Sequence, residues 1–255
     1  MKLRTAGICR GNANWANSFV WQLNFNDFKA KISQEEGKGR RLVDVETYLD
    51  GGQRRWAGIF RSGNWTQKFV HSLGLAAFSQ QLSDPANQGL APFNFEIYID
   101  NGKVSIAAIL RSGILQPNIN TLVLDVDSPA LKIANQQNIK KGGRLVDIET
   151  YVSGGKRRWA AIWLAGDWDS YLLTDLDFQS FKEQTQKKFD NDGMRLVDIE
   201  TYLDGGQRRW AGIGRKGTWA NNFLADYTLS AFQKKTQQLF DENGRRLIKL
   251  EIYET

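Results

Sequence analysis

The chain has 255 residues, 41% of them hydrophobic and 12% aromatic, and a net charge of +6 at neutral pH. That fits one or two globular domains with a sizeable core; no run of about 18 apolar residues offers a membrane span, and Met1 to Gly7 lacks the apolar core of a secretory signal. Cys9 is the single cysteine, so no internal disulfide is expected, and Lys and Arg are dispersed rather than massed, which disfavours nucleic acid as a partner. The cytoplasm is the default compartment, with secretion by another route left open.

Taken in order, the chain opens with Leu3 to Ile8, a strand signal, followed by Gly11, Trp15 and the apolar stretch Phe19 to Leu23, which can add a further strand. Phe25, Phe28 and Ile32 fall at helical spacing, and Gly37 is expected to end that helix. From Arg41 the period becomes two: Val43, Val45, Thr47 and Leu49 on one face, Leu42, Asp44, Glu46 and Tyr48 on the other. Asp50-Gly51-Gly52 reads as a tight hairpin, and its second strand runs from Gln53 to about Phe60.

The same parts recur. Gly63, Trp65, Phe69 to Leu73 and the stripe Leu75, Phe78, Leu82 lead to a weaker hairpin signal at Asp100-Asn101-Gly102. The third unit has Gly113-Ile114-Leu115 in place of a Trp loop, then Leu122 to Val126 and Ser128-Pro129, read as a helix cap with proline at the first helical position. After Ser153-Gly154-Gly155 come Gly166, Trp168, the apolar pair Leu172 and Leu173, and Thr174 to Asp177, which looks like a capping box for a helix carrying Phe178, Phe181 and Phe189. Gly193 ends that helix, Asp204-Gly205-Gly206 turns the next hairpin, and Gly217, Trp219, Phe223 to Ala225 and the stripe Leu229, Phe232 and Leu239 or Phe240 follow as far as Gly244. Arg246 to Tyr253 is a first hairpin strand with no second strand after it.

The Glu-x-Tyr triplet ends at Tyr48, Tyr98, Tyr151, Tyr202 and Tyr253, spacings of 50 to 53 residues, so the chain divides into units near 1–52, 53–102, 103–155, 156–206 and 207–255 of one domain. A hairpin centred on the glycines pairs Thr47 with Trp56, Tyr48 with Arg55 and Glu46 with Ala57. The copies support this register: Ile106 replaces the Trp where Ile97 replaces the Thr, and Thr5 replaces it where Ile252 stands opposite. Since Leu3 to Ile8 matches a second hairpin strand with nothing before it, the two ends are expected to pair. The fold class is therefore α+β, a closed, propeller-like, pseudo-fivefold ring of hairpin-plus-helix repeats whose terminal strands complete one unit.

Arg144 to Trp163, RLVDIETYVSGGKRRWAAIW, resembles the tandem repeat that precedes the β-lactamase-like serine hydrolase domain in polyglycine hydrolases and related bacterial proteins. The resemblance covers essentially the whole chain and is weakest from Lys103 to Gly155. It implies a non-catalytic accessory module for recognition and carries no activity across, the Ser-x-x-Lys of that hydrolase domain being expected to be absent.

Cys9 and His71 occupy unrelated repeat positions filled elsewhere by other residue types, so a Cys/His enzyme is not expected; neither metal nor cofactor is indicated. Glu46, Glu149, Glu200 and Glu251 are expected to pair diagonally with Arg55, Arg158, Arg209 and Arg4 as structural ion pairs, and five equivalent glutamates argue against an asymmetric catalytic acid pair. Trp15, Trp65, Trp168 and Trp219, with Asn64 and Asp167 beside them, are the candidate ligand-binding residues, suited to stacking on a sugar or peptide; the competing reading is a tryptophan that plugs the gap between units. The expected function is non-enzymatic: a lectin-like monomer with multivalent sites for a glycan or glycine-rich polypeptide, against a structural scaffold and, third, a glycosidase.

Overall fold

A computed structural model describes residues 2–115, 119 and 121–255. Its elements run β1 (Leu3–Arg10), β2 (Asn17–Leu23), α1 (Phe25–Gly37), β3 (Arg40–Asp50), β4 (Gln53–Ser62), β5 (Gln67–Leu73), α2 (Leu75–Ser83), a short 3-10 turn (Pro85–Asn87), β6 (Leu90–Asp100), β7 (Lys103–Ser112), β8 (Leu122–Val126), α3 (Ser128–Lys140), β9 (Gly143–Ser153), β10 (Lys156–Ala165), β11 (Ser170–Leu176), α4 (Phe178–Asp192), β12 (Met194–Asp204), β13 (Gln207–Lys216), β14 (Asn221–Tyr227), α5 (Leu229–Asn243) and β15 (Arg246–Glu254). The protein is α+β. Among the described residues, five separate three-stranded antiparallel sheets have the orders β2-β4-β3, β5-β7-β6, β8-β10-β9, β11-β13-β12 and β14-β1-β15. The apolar stretches after the Trp loops are thus third strands.

The hairpin register is the expected one, with Glu46 opposite Ala57, Thr47 opposite Trp56 and Tyr48 opposite Arg55. Ile97 faces Ile106, and Thr5 faces Ile252 across the pair formed by the first and last strands. Lys2 and Thr255 exchange backbone hydrogen bonds of 3.1 and 2.9 Å.

Strict alternation fails at one point. A bulge between Leu42 and Asp44 leaves Val43 out of register, and the same shift precedes Asn94, Asp147, Asp198 and Lys249. Leu42 consequently joins Val45 against Phe28, whereas Val43 packs on the preceding unit, so the expected grouping of Val43 with Val45 is corrected. Phe28, Phe78, Phe181 and Phe232 are fully buried beneath the helices. Glycine on the middle strand makes room for three of them: a Cβ at Gly58, Gly212 or Gly7 would lie 3.1, 2.8 or 2.5 Å from the ring above.

Helix boundaries differ from expectation by one to three residues. Asp127, not Ser128, caps α3 by accepting from the Ala130 amide, and Asp177 rather than Thr174 caps α4 by accepting from Ser180; Thr174 lies inside β11. Gly193 and Gly244 end their helices in the left-handed region, but Gly37 is the last residue of α1 and the positive φ falls on Gly39.

Much of the core lies between sheets. Trp56 meets Tyr98 of the next sheet edge to face at 5.8 Å, as Trp159 meets Tyr202 at 5.3 Å and Trp210 meets Tyr253 at 5.5 Å. The inner strands β3, β6, β9, β12 and β15 each contact the next, and β15 also contacts β3.

Candidate functional site

The bulge aims the next residue of each inner strand at its counterparts. Asp44, Asn94, Asp147, Asp198 and Lys249 occupy this position, all buried. Lys249 Nζ lies 3.3 Å from Asp44, 3.4 Å from Asp147 and 3.1 Å from Asp198. Each acid also accepts a backbone amide from the preceding unit: Leu250 to Asp44 at 2.8 Å, Phe95 to Asp147 at 2.8 Å and Ile148 to Asp198 at 3.0 Å; Asn94 accepts from Val45 at 3.0 Å. Burial raises the three carboxyls above their usual range. Burial lowers Lys249, but Asp198, Asp44 and Asp147 outweigh it and hold the ammonium well above its ordinary value.

Two residues nearer the hairpins comes a second layer, Glu46, Glu96, Glu149, Glu200 and Glu251, again buried. The Ile97 amide donates to Glu149 at 3.5 Å and the Thr201 amide to Glu251 at 3.2 Å; no hydrogen bond from a described residue reaches Glu46, Glu96 or Glu200. Burial, reinforced by neighbouring carboxyls, raises all five, Glu251 to about 8. They line a cavity of roughly 410 Å³ with Val152, Leu203, Arg157 and Arg208. A cavity of similar volume, mostly apolar, is lined by Phe178, Leu203, Trp210 and Tyr253.

The expected glutamate–arginine pairs do not form. Arg158 donates to Asp125 at 3.0 Å, Arg4 lies 3.3 Å from Asp226, and Arg55 and Arg209 donate to Gln53 and Gln207 at 2.6 and 2.7 Å. For Arg158 and Arg4 the cause is the third strand, since Asp125 and Asp226 belong to β8 and β14, whereas Arg55 and Arg209 bond to a glutamine two residues earlier on their own strand. Their neighbours Arg54, Arg157 and Arg208 cover the rings of Tyr98, Tyr202 and Tyr253 at 4.6, 4.6 and 4.9 Å and donate to the carbonyls of Ile99, Leu203 and Glu254.

At the opposite end of the strands stand the Trp loops. Trp65, Trp168 and Trp219 fold onto the glycine two residues before them; a Cβ at Gly63, Gly166 or Gly217 would sit 1.9, 2.3 or 1.9 Å from the indole. Arg41, Arg144 and Arg195 hold these loops by donating to the Trp carbonyls at 3.0, 2.5 and 2.7 Å. All four tryptophans are half-buried, and their indole nitrogens are buried without a partner. Asn64 and Asp167 are exposed on the same loops.

The loops do not form separate sites. Arg215 lies over Trp168 and Trp219 at 5.1 Å each, Arg10 over Trp219 at 4.2 Å and Trp15 at 5.3 Å, Arg61 over Trp15 at 5.5 Å and Trp65 at 5.2 Å, and Arg111 over Trp65 at 4.0 Å. The result is one continuous ladder of alternating guanidinium and indole groups. None of these four arginines has an ion pair or acceptor among the described residues, and burial lowers all four, Arg61 to about 10 with further depression from Arg111, Arg10 and Arg215. Sequence reasoning missed this cluster. Its signal was present as arginine at one repeat position in four units, with Leu164 in the other.

Cys9 is buried, which pushes its thiol up to about 12, and His71 lies tilted against Phe25 at 4.2 Å, in a different cluster. The sequence does hold a Ser-x-x-Lys spacing, Ser153 to Lys156, but the two residues pair across a hairpin turn. Among the described residues no three of His, Cys, Asp or Glu are grouped to hold a metal ion, and no helix is long and apolar enough to cross a membrane.

A family model described as a polyglycine hydrolase-like structural repeat matches residues 18–62, 125–165 and 181–216. The first match spans β2 to β4, one complete sheet with its helix; the others cover the end of β8 through β10 and α4 through β13. No curated protein matches the chain.

Proposed function

For this tandem array of the polyglycine hydrolase-like structural repeat, we propose a non-catalytic binding module: a closed pseudo-fivefold ring whose Trp-loop end holds a repetitive polymer bearing acidic groups, an acidic glycan foremost. Closure is supported by the pairing of β1 with β15 and by the contact between β15 and β3. The observation that carries the binding reading is the set Arg10, Arg61, Arg111 and Arg215, held over indole rings and lacking acceptors among the described residues. With its face covered, a guanidinium has its in-plane N–H edge left to donate, and that edge matches a carboxylate, sulfate or phosphate. Four partly desolvated like charges raise the energy of the empty protein, and an oxyanion relieves it. Trp15, Trp65, Trp168 and Trp219 then serve one extended surface, flanked by Asn64 and Asp167, rather than one site each.

Calorimetry against acidic and neutral oligosaccharides tests this. Acidic chains are expected to bind, to weaken as salt rises, and to lose at least about tenfold in affinity on Arg61→Gln, a charge-assisted contact being worth about 1.5 kcal/mol or more. A glycine-rich polypeptide is the second reading, favoured by the family description. It offers no acidic side chains to the arginines, so its binding should be indifferent to salt and to Arg61→Gln. Silence on every polymer leaves a structural scaffold.

A further inference from the structure

The glutamate layer lies toward the hairpin end of the inner strands, away from the Trp loops. The layer beneath it shows how these strands accommodate converging carboxyls: the primary ammonium of Lys249 sits 3.1 to 3.4 Å from three of them. The glutamate layer has five carboxyls and no ammonium of its own. The nearest arginines, Arg54, Arg157 and Arg208, lie over tyrosine rings and donate to backbone carbonyls, and although Arg157 and Arg208 line the same cavity, none of the three is hydrogen-bonded to a glutamate of the layer.

Glu46 and Glu149 are 3% and 2% exposed, and each has a buried Oε1 without any partner, although both line the cavity. Burying a carboxyl without a donor is unfavourable, so the arrangement is incomplete as it stands. The roughly 410 Å³ of space admits an ammonium and several carbon atoms. Its walls include Val152 and Leu203, 49% and 55% exposed, which offer an apolar surface to a short methylene or peptide segment. An ammonium has three rotatable N–H donors and suits acceptors arranged around it, whereas a guanidinium presents a planar fork.

We propose that the five-glutamate cavity binds a primary ammonium group, in the place above Lys249 where no described residue supplies one. The ammonium can come from a polypeptide α-amine or from a lysine-type side chain.

The full-length protein is titrated calorimetrically with n-butylamine, with n-butanol and tetramethylammonium as controls that lack the charge or the N–H donors. Dialanine amide and Nα-acetyl-lysine amide then separate the two sources of the amine, with N-acetyl-dialanine amide as the blank. Millimolar binding of n-butylamine and of at least one amine-bearing peptide is expected, with at least tenfold weaker binding of every control. Glu46→Gln and Glu149→Gln should each weaken amine binding at least tenfold, while Glu183→Gln on the exposed face of α4 leaves it unchanged. If the amines bind no better than the controls, or if folded Glu46→Gln and Glu149→Gln proteins bind as the parent does, the proposal is overturned. Should either variant fail to fold, the comparison of n-butylamine with n-butanol and tetramethylammonium on the parent protein still decides. The acidic-polymer reading stands or falls separately, on Arg61 at the other end of the strands.

Discussion

Lys249 stands where three units have aspartate and one has asparagine, and a single ammonium thereby pairs with carboxyls drawn from three other units. Sequence alone does not expose this, because hydropathy assigns charged residues to solvent and the converging positions lie 50 or more residues apart. The glutamates were legible as residues kept in every unit, yet their arginine partners were misassigned since the competing acceptors sit on a third strand or on the arginine's own. The buried acids make a pH prediction. Glu251 titrates at an ordinary 4.5 when unfolded and at about 8 when folded, so the folded chain retains a proton across that window. Its contribution is complete below the unfolded value and is lost as pH rises through the folded one. Glu35 acts in the opposite sense. Burial pushes it up, but Arg40, Lys31, Lys38 and Ser18 outweigh burial and hold it at about 2, so its contribution disappears as pH falls through that value. Urea unfolding should therefore show greater stability near pH 5 than near pH 8.5, by about 2 kcal/mol or more, and a decline below about pH 3. Glu251→Gln should flatten the alkaline side; a parent profile level from pH 5 to 8.5 contradicts the protonated layer.

At the level of elements, helices, hairpins and third strands were readable because apolar spacing and turn glycines carry them directly. The bulge was not: Val43 continues the alternation on paper, and only the contact of Leu42 with Phe28 shows that the phase has been reset. The Gly-x-Trp pair was legible as a motif, but its cause is steric. Gly217 does not have a positive φ, and what excludes a side chain is the Trp219 ring lying across it, 1.9 Å from where a Cβ would be. Gly217→Ala should expel the indole from its position between Arg215 and Arg10, red-shifting tryptophan emission and costing about 1–3 kcal/mol in urea unfolding. An unchanged spectrum and stability would mean that the ring is not held on the glycine.

For the molecule as a whole, the informative feature is that the repeat is divided inside its hairpin. The sheet β14-β1-β15 takes its middle strand from the start of the chain and its other two from the end. Thr5 and Ile252 return across that junction part of the volume that Thr47 and Trp56 supply elsewhere, and Lys2 and Thr255 hydrogen-bond to each other. The last unit's hairpin thus differs from the others mainly in having no covalent turn. Joining Thr255 to Met1 through a few glycines supplies that turn, and new ends can be opened between Gly51 and Gly52, both exposed and at positive φ with nothing crowding them. This permuted protein should fold as a monomer and keep the parent's melting temperature within a few degrees. Deleting Leu247 to Thr255 instead removes the strand that carries Lys249 and Glu251 and strips one edge of β1, so aggregation or a large loss of stability is expected. A truncated protein that melts like the parent, or a permutant that does not fold, would show that the terminal strands do not complete a unit and that the ring is not closed there.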